Sequence, residues 1–398
     1  MACDLEKIYE SLFKYCRTRD FAGYDPFDGL NSSLLQATPL GRSRLARLAW
    51  LQMVKRSPVD LRKPLGVKPD VNPKAIALFA LAEMSRFRVN AEDDHRKQAG
   101  ELIDILLALR ISGETADGRV TNAFGYNFDW QSRHFFAPRG TPAIVPTAFA
   151  SQALVEAFLI IQDERYLTVA AEICNFILER LKRIETDDEV CFSYTPNDET
   201  VIYNASLLAA ESLAGVGSIT GNSEQMILAA KAVRFVLNRQ RPDGAWTYGS
   251  APNQGWVDNF HTAYVLQSLS RISLSIPAIA SESAHTIGRG IDYWINHCFL
   301  SDGTPKYYDE TTYPVDIHAA AVAISVASEM READTRLLPL ARRVAEWTIE
   351  NMLDDDGFFY YQKRARGFIK TPFMRWGQAW MAYALARLIE AEHEASGT

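Results

Sequence analysis

Cysteine is scarce and badly placed for cross-linking. Five residues, Cys3, Cys16, Cys174, Cys191 and Cys298, are odd in number, widely spaced and without a Cys-x-x-Cys pair. That pattern excludes a disulfide framework and a structural zinc site and fits reduced thiols. Positive charge is also short: the formal net charge is -7, and the Lys and Arg residues are dispersed. No basic face for nucleic acid follows from this. Long apolar runs are missing, so no membrane span is expected. Asp4, Glu6, Lys7 and Glu10 interrupt the N-terminal segment, which therefore lacks the apolar centre of a signal peptide. A cytoplasmic protein is expected, where the sequons at Asn31 and Asn204 carry little meaning. Neither a Gly-x-Ser-x-Gly elbow nor a His-Glu-x-x-His motif is present. Gly215 to Gly221 has phosphate-loop-like glycine spacing but follows a helix, so it reads as a helix end.

What is present is ordinary for a folded chain of 398 residues, with 47% apolar and 23% charged. It is also repetitive. The segments PTAFASQAL, YNASLLAAESL, FHTAYVLQSL, IHAAAVAI and WGQAWMAYAL each start with polar residues followed by Ala and an apolar helical pattern. Their aligned alanines, Ala148, Ala205, Ala263, Ala319 and Ala379, recur every 56 to 60 residues. Such helices suit burial on several sides. Amphipathic partners follow over 164–182, 223–240, 283–298 and 334–352. Within the first, Tyr166, Val169, Ile173 and Phe176 form an inward stripe.

A sixth inner helix is expected near Asn72, with its partner over 92–110. The last inner helix has no partner after it, and the N-terminal helices over 4–18 and 41–54 are expected to fill that slot. The expected fold is one all-α domain over 1–398: six helical hairpins closed into an (α/α)6 toroid. An open helical solenoid is the alternative, although its repeats are usually shorter and lack aromatic rim segments. The segments CFSYTPND, DGAWTYG, SDGTPKYYDE and DDDGFFYYQK combine turns with alternating aromatics and are expected to form short β-pieces on one rim.

Parallel inner helices would bring their N-termini to one mouth. That mouth would collect Asp25 and Asp28; Tyr126, Asp129, Trp130 and Arg133; Tyr203 and Asn204; Trp256, Asp258, Asn259 and His261; Asp316 and His318; and Arg375, Trp376 and Gln378. Aromatic faces with polar sides suit a sugar, whose C–H faces stack while its hydroxyls hydrogen-bond. Asp129, flanked by Phe128 and Trp130, is the candidate acid, and Asp258, in a more polar segment, the candidate base; the roles are interchangeable. His261, Asp316 and His318 would support them, and Arg375 would recognise a substrate carboxylate. His and Tyr near Arg would instead suit proton abstraction beside a uronic acid carboxylate. Singly, Asn204, Asp258 and Asp316 also suit helix N-caps, and the histidines suit a core. Asp316 and His318 with His261 give too small a cluster to favour a metal, and no metal or cofactor is expected.

In architecture the chain resembles the six-hairpin toroid glycosidase, lyase and epimerase superfamilies, and more loosely the helical toroids of terpene cyclases. In detail, YDPFDGLNS, NFDWQSR with PAIVPTAFA, and RWGQAWMAYALA resemble uncharacterised toroid proteins encoded with bacterial surface-polysaccharide biosynthesis. The segment Arg375-Trp376-Gly377-Gln378-Ala379-Trp380 is similar to the Arg-Gly-Asn-x-Trp segment of unsaturated glucuronyl hydrolases, in a different order. An Asp-x-Asp-Asp acid motif, which a terpene cyclase would need, is absent. The resemblance implies a carbohydrate-active enzyme, a glycoside hydrolase or a uronic acid lyase or C5-epimerase, with a glycan or sugar-containing small molecule as partner. A noncatalytic glycan-binding or scaffold protein is the second reading. An isoprenoid-handling toroid is the third, and would need a drier cavity.

Overall fold

The structure, a computed structural model, describes residues 4–131 and 136–397. Three helices come first: α1 (Leu5–Arg17), α2 (Ser33–Gln36) and α3 (Arg44–Arg56). Five hairpins and a last helix follow: α4 (Pro73–Asn90) with α5 (Asp93–Ala108), α6 (Ile144–Ile161) with α7 (Glu164–Arg180), α8 (Tyr203–Thr220) with α9 (Ser223–Leu237), α10 (Asn259–Ser275) with α11 (Pro277–His297), α12 (Ile317–Glu329) with α13 (Leu337–Met352), and α14 (Trp380–Ser396).

The even-numbered helices from α4 to α14 form the inner ring. Each packs on the next, and α14 packs back on α4, so the ring is closed and the open solenoid is excluded. Small residues allow this: Ala319, Ala320, Ala321, Ala323 and Ala327 of α12 are all buried, so neighbouring backbones approach on every side. The odd-numbered partners α5 to α13 are amphipathic and cover the ring. Two of them start on side-chain caps, Asp163 on the Arg165 N–H and Asn222 on the Gln225 N–H.

Helix α1 packs on α14, whereas α3 packs chiefly on the turn at Asp28–Asn31. It buries only Leu51 and Val54, too narrow a stripe for an outer helix. It lies over the turn at Asp28–Asn31, where Trp50 Nε1 donates to the Gly29 carbonyl at 3.0 Å. Contrary to the sequence expectation, α6 is long and apolar enough to cross a membrane by length and composition alone. In the ring 61% of it is buried, which accounts for that composition.

Short antiparallel pairs decorate the connections: Ile111–Glu114 with Val120–Ala123, Trp130–Gln131 with Phe136–Ala137, and Arg183–Glu185 with Val190–Phe192. A three-stranded piece joins Val315–Asp316, Gln362–Lys363 and Phe368–Ile369. The segments DGAWTYG and SDGTPKYYDE make isolated bridges rather than strands, because tight turns at Gly244 and Gly303, both at positive φ, occupy them.

At the far end, the C-terminal halves of the inner helices carry an ionic network. Arg271 pairs with Glu211 and Glu329, and Arg387 with Glu390. Burial raises the Glu329 pKa, but Arg271 outweighs it and brings the carboxyl to about 2.

Candidate functional site

The N-terminal ends of the inner helices do converge. They surround an open cavity of about 420 Å³ lined by Lys74 of α4, Val145 of α6, Asn204 of α8, Phe260, His261 and Tyr264 of α10, and His318 of α12. Before α14 the chain forms a π-helical turn, Met374–Ala379, in which both Gly377 and Gln378 donate to the Phe373 carbonyl. Such turns are frequent at functional sites. This one aims Arg375 and Trp376 at the cavity. It also lies so close to α12 that a Cβ at Gly377 would meet Ile317 Cγ2 at 3.2 Å.

Aromatic rings make the walls. Tyr248 stacks on Trp256 at 4.9 Å and 13°, and Tyr126 on Phe128 at 5.1 Å and 14°. Trp376 stacks on His318 at 4.0 Å and 17°. Trp256 remains 37% exposed at the rim, a flat platform open to solvent. Tyr307 and Tyr308 are carried by a loop bound across the start of α10, where the Asn259 N–H donates to the Tyr307 carbonyl at 3.0 Å.

Asp258 is the one carboxylate lining the cavity among the described residues. It caps α10, accepting the His261 N–H on Oδ1 at 2.9 Å, while Oδ2 lies 2.6 Å from His261 Nδ1. Trp256 Nε1 adds a longer bond of 3.3 Å. A carboxylate oxygen accepts, so Nδ1 carries the imidazole proton and Nε2 is left as the basic nitrogen. The His261 ring packs against the tilted rings of Tyr248 and Phe260 at 4.5 and 4.3 Å.

His318 is held differently. Its Nδ1 lies 3.1 Å from the Trp376 carbonyl, which can only accept. Nε2 therefore accepts from the Tyr264 hydroxyl at 3.0 Å. Burial, then the cations Lys74 and Arg375, push its pKa well below the usual histidine value, so it is neutral. Asp316 lies behind this pair, wholly buried, accepting from Trp376 Nε1 at 2.8 Å, Gln362 Nε2 at 2.7 Å and the His318 N–H at 2.9 Å. Burial raises its pKa. It positions Trp376 and does not line the cavity.

Arg375 reaches the lining, but its Nε and Nη2 bind Asp25 at 2.6 and 2.9 Å in a buried pair. Asp25 is thus the support of Arg375 and not itself in the lining. Asn204 is 5% exposed, and its Oδ1 has no hydrogen-bond partner among the described residues. Tyr126 is bonded to Tyr194 through their hydroxyls at 3.1 Å. Trp130 packs against Tyr194 at 5.4 Å.

Other sequence candidates go elsewhere. Asp129 is not in the lining; its Oδ1 accepts the Arg139 N–H at 2.7 Å, so the structure does not bring it to face Asp258. Asp28 pairs with Arg62 at 2.6 Å beneath the Asp25 turn, with burial raising its pKa to about 7 against the pull of Arg62. Asn259 is a core bracket, donating to the Cys298 and Lys306 carbonyls and accepting from Trp294 Nε1. Gln378 bonds both backbone groups of Phe359, and Tyr203 packs toward Phe235. All three are polar or aromatic residues that satisfy the scaffold. Arg133 lies outside the described residues.

The sequence reading missed Lys74, Tyr194, Tyr248, Tyr264, Tyr307 and Tyr308. Lys74 had a signal: it is the single charge in the apolar first half of α4, Pro73 to Ala82, two residues after Asn72. Its Nζ lies 4.1 Å from the Phe149 ring centroid, 5.0 Å from that of Trp380 and 5.5 Å from that of Tyr264. Burial and neighbouring Arg375 depress its pKa well below the usual lysine value, with Asp25 pulling the other way.

No protein-family model and no curated protein matches the chain. Solved structures do. A cellobiose 2-epimerase from Bacillus thermoamylovorans matches with a TM-score of 0.61 at 14% identity, covering 82% of this chain and 88% of its own. An unsaturated glucuronyl hydrolase specific for heparin matches at 0.58 and 12%, covering 82% and 87%. A GH76 α-mannanase of Bacteroides thetaiotaomicron matches at 0.58 and 12%, covering 83% and 90%. These structures share the (α/α)6 toroid, and at such identities the likeness establishes the fold.

Proposed function

We propose that the chain is a carbohydrate-active enzyme whose chemistry is proton transfer at a sugar, epimerisation or elimination, with His261 as the base and Asp258 as its support. The observation that carries this reading is the Asp258–His261 pair at 2.6 Å on a cavity wall made of stacked aromatic rings. A carboxylate on Nδ1 fixes the tautomer and ring orientation, leaving Nε2 as the free lone pair, and stabilises the imidazolium that forms during proton transfer. The rings supply sugar-stacking faces, and the solved structures of the same fold include an epimerase, glycoside hydrolases and a polysaccharide lyase.

Hydrolysis by the Asp129 and Asp258 pair has less support, because Asp129 turns to the backbone of Arg139. A general acid and base set on opposite sides of a glycosidic bond would need a second carboxylate in the lining. The resemblance of the mouth segments to toroid proteins of surface-polysaccharide biosynthesis is the support for a role in making such glycans.

The test is a panel of neutral and uronate-containing oligosaccharides incubated with the protein in heavy water and followed by proton NMR. Epimerisation washes deuterium into a carbon-bound position, and elimination produces a vinylic signal. New reducing ends with neither carbon-bound deuterium nor a vinylic signal would mean hydrolysis and would reject the reading.

A further inference from the structure

The cavity floor holds a primary amine in an unusual setting. Lys74 is 3% exposed and lines the cavity, and among the described residues its Nζ has no carboxylate or hydrogen-bond partner. Around it stand the faces of Phe149, Tyr264 and Trp380. The charged and titratable groups that act on it are Arg375 and, in the opposite sense, Asp25, while His318 feels its charge in return. Asp25 is already saturated by Arg375. A lysine whose role was structural would be expected to reach water or an anion, since a buried ammonium without a counter-ion is costly. A lysine desolvated by apolar walls beside another cation is instead the standard environment of a nucleophilic amine.

We propose that Lys74 is a carbonyl-capturing residue: its amine condenses with the open-chain aldehyde of a reducing sugar held in the cavity and forms an imine. The inference rests on the reading of the cavity as a sugar site. The Nζ lone pair attacks the carbonyl carbon, the π pair moves to the oxygen, and the nitrogen proton is passed to that oxygen, giving a carbinolamine. Loss of its hydroxyl as water, with the last nitrogen proton going to the leaving oxygen, gives the C=N bond. Addition of one water reverses the sequence, so no oxidant or reductant is consumed. An imine at C1 acidifies the hydrogen on C2, the kind of proton a histidine base removes. The depressed pKa of Lys74 agrees with this role, since an exposed lysine with a pKa of about 10.4 leaves less than ~0.1% free amine at neutral pH.

The full chain is incubated at neutral pH with cellobiose or D-glyceraldehyde plus cyanoborohydride, which reduces an imine to a stable secondary amine, and digested for peptide mass spectrometry. The expected result is a saturable adduct concentrated on Lys74, at least about tenfold above any exposed lysine, in line with its larger free-amine fraction. Lys74→Met, checked for folding by circular dichroism, should lose that adduct and no other. Adducts spread over exposed lysines with Lys74 unmodified overturn the proposal, and because this is read in the wild-type protein it stands even if the variant fails to fold. The two readings separate cleanly. Deuterium exchange without a Lys74 adduct removes the imine and leaves the His261 base, whereas a Lys74 adduct without exchange does the reverse.

Discussion

Asp258 and His261 are joined twice within one turn of α10, through the His261 N–H on Oδ1 at 2.9 Å and through Nδ1 and Oδ2 at 2.6 Å. One carboxylate therefore starts the helix and orients the imidazole. Asp258→Asn separates these duties, because Asn is as good an N-cap as Asp but cannot stabilise an imidazolium. Turnover on whichever sugar is found should fall by about 10² to 10⁴ while thermal stability changes by less than about 1 kcal/mol. Full activity in this variant would remove His261 from the role of base.

The buried Asp25–Arg375 pair ties the residue 25 turn to the π-helical turn that carries Trp376. Truncating one member leaves the other buried and charged without its partner. Asp25→Ala should cost about 3 to 5 kcal/mol in urea denaturation. The double variant Asp25→Ala with Arg375→Met should recover part of that loss. A single variant of wild-type stability would show that Arg375 finds another partner.

The toroid was legible because burial on all sides leaves a compositional trace: Ala148, Ala205, Ala263, Ala319 and Ala379 mark the inner helices at a nearly constant spacing. The mouth was legible at Asp258, His261, His318 and Trp376, since helix N-termini were read as one end of the ring. Aspartate chemistry was not. Asp25, Asp28, Asp129, Asp258 and Asp316 look alike in sequence, and what separates them is the partner each meets: Arg375, Arg62, the Arg139 N–H, His261 and Trp376. Three of those partners lie 34 or more residues away, beyond the reach of local pattern. Asn259 and Gln378 were misplaced for a related reason, since a buried amide bracketing backbone groups reads like one awaiting a ligand.

Asn204 supplies a ligand test that does not depend on the reaction. Its buried Oδ1 faces the cavity lining without a partner, a cost that a sugar hydroxyl would repay. Asn204→Leu should leave the protein as stable or more so, yet weaken sugar binding by about tenfold, or 1.4 kcal/mol. Tryptophan fluorescence is a suitable readout because Trp130, Trp256 and Trp376 all line the cavity. Unchanged affinity would place the sugar away from α8.

His318 sets an acid limit on stability. Its folded pKa lies well below the ordinary 6.5, so the unfolded chain takes up a proton under about pH 6.5 that the folded chain refuses. Its contribution is complete above that pH and is lost as pH falls toward the folded value. Asp316, with its raised pKa, acts in the opposite sense in the acid range. Replacing only the histidine isolates its term. His318→Asn, which keeps a donor near the Trp376 carbonyl, should flatten the fall in urea midpoint between pH 7 and 5. Equal slopes in the two proteins would mean that His318 stays accessible to protons.

The chain ends should be thermodynamically inseparable, so that residues 4–397 unfold as one unit. Helix α1 covers α14, and its inward face of Tyr9, Leu12, Phe13 and Cys16 is buried. Tyr9 donates to Glu83 of α4, whose other oxygen lies 2.7 Å from His95 Nδ1, and Glu6 pairs with Arg86. Phe13 and Phe21 both pack on Phe79 of α4, at 5.9 and 4.8 Å. Removing residues 1–22 would expose that face and leave Glu83 and Arg86 without their α1 partners. Each large buried side chain lost costs about 2 to 5 kcal/mol, so four of them match or exceed the 5 to 15 kcal/mol that holds a typical domain together. The intact chain should therefore melt in one transition, coincident by circular dichroism and tryptophan fluorescence, and the truncated chain should lose cooperative melting. A truncated protein with wild-type helicity and an unchanged Tm would show that the inner ring closes without α1.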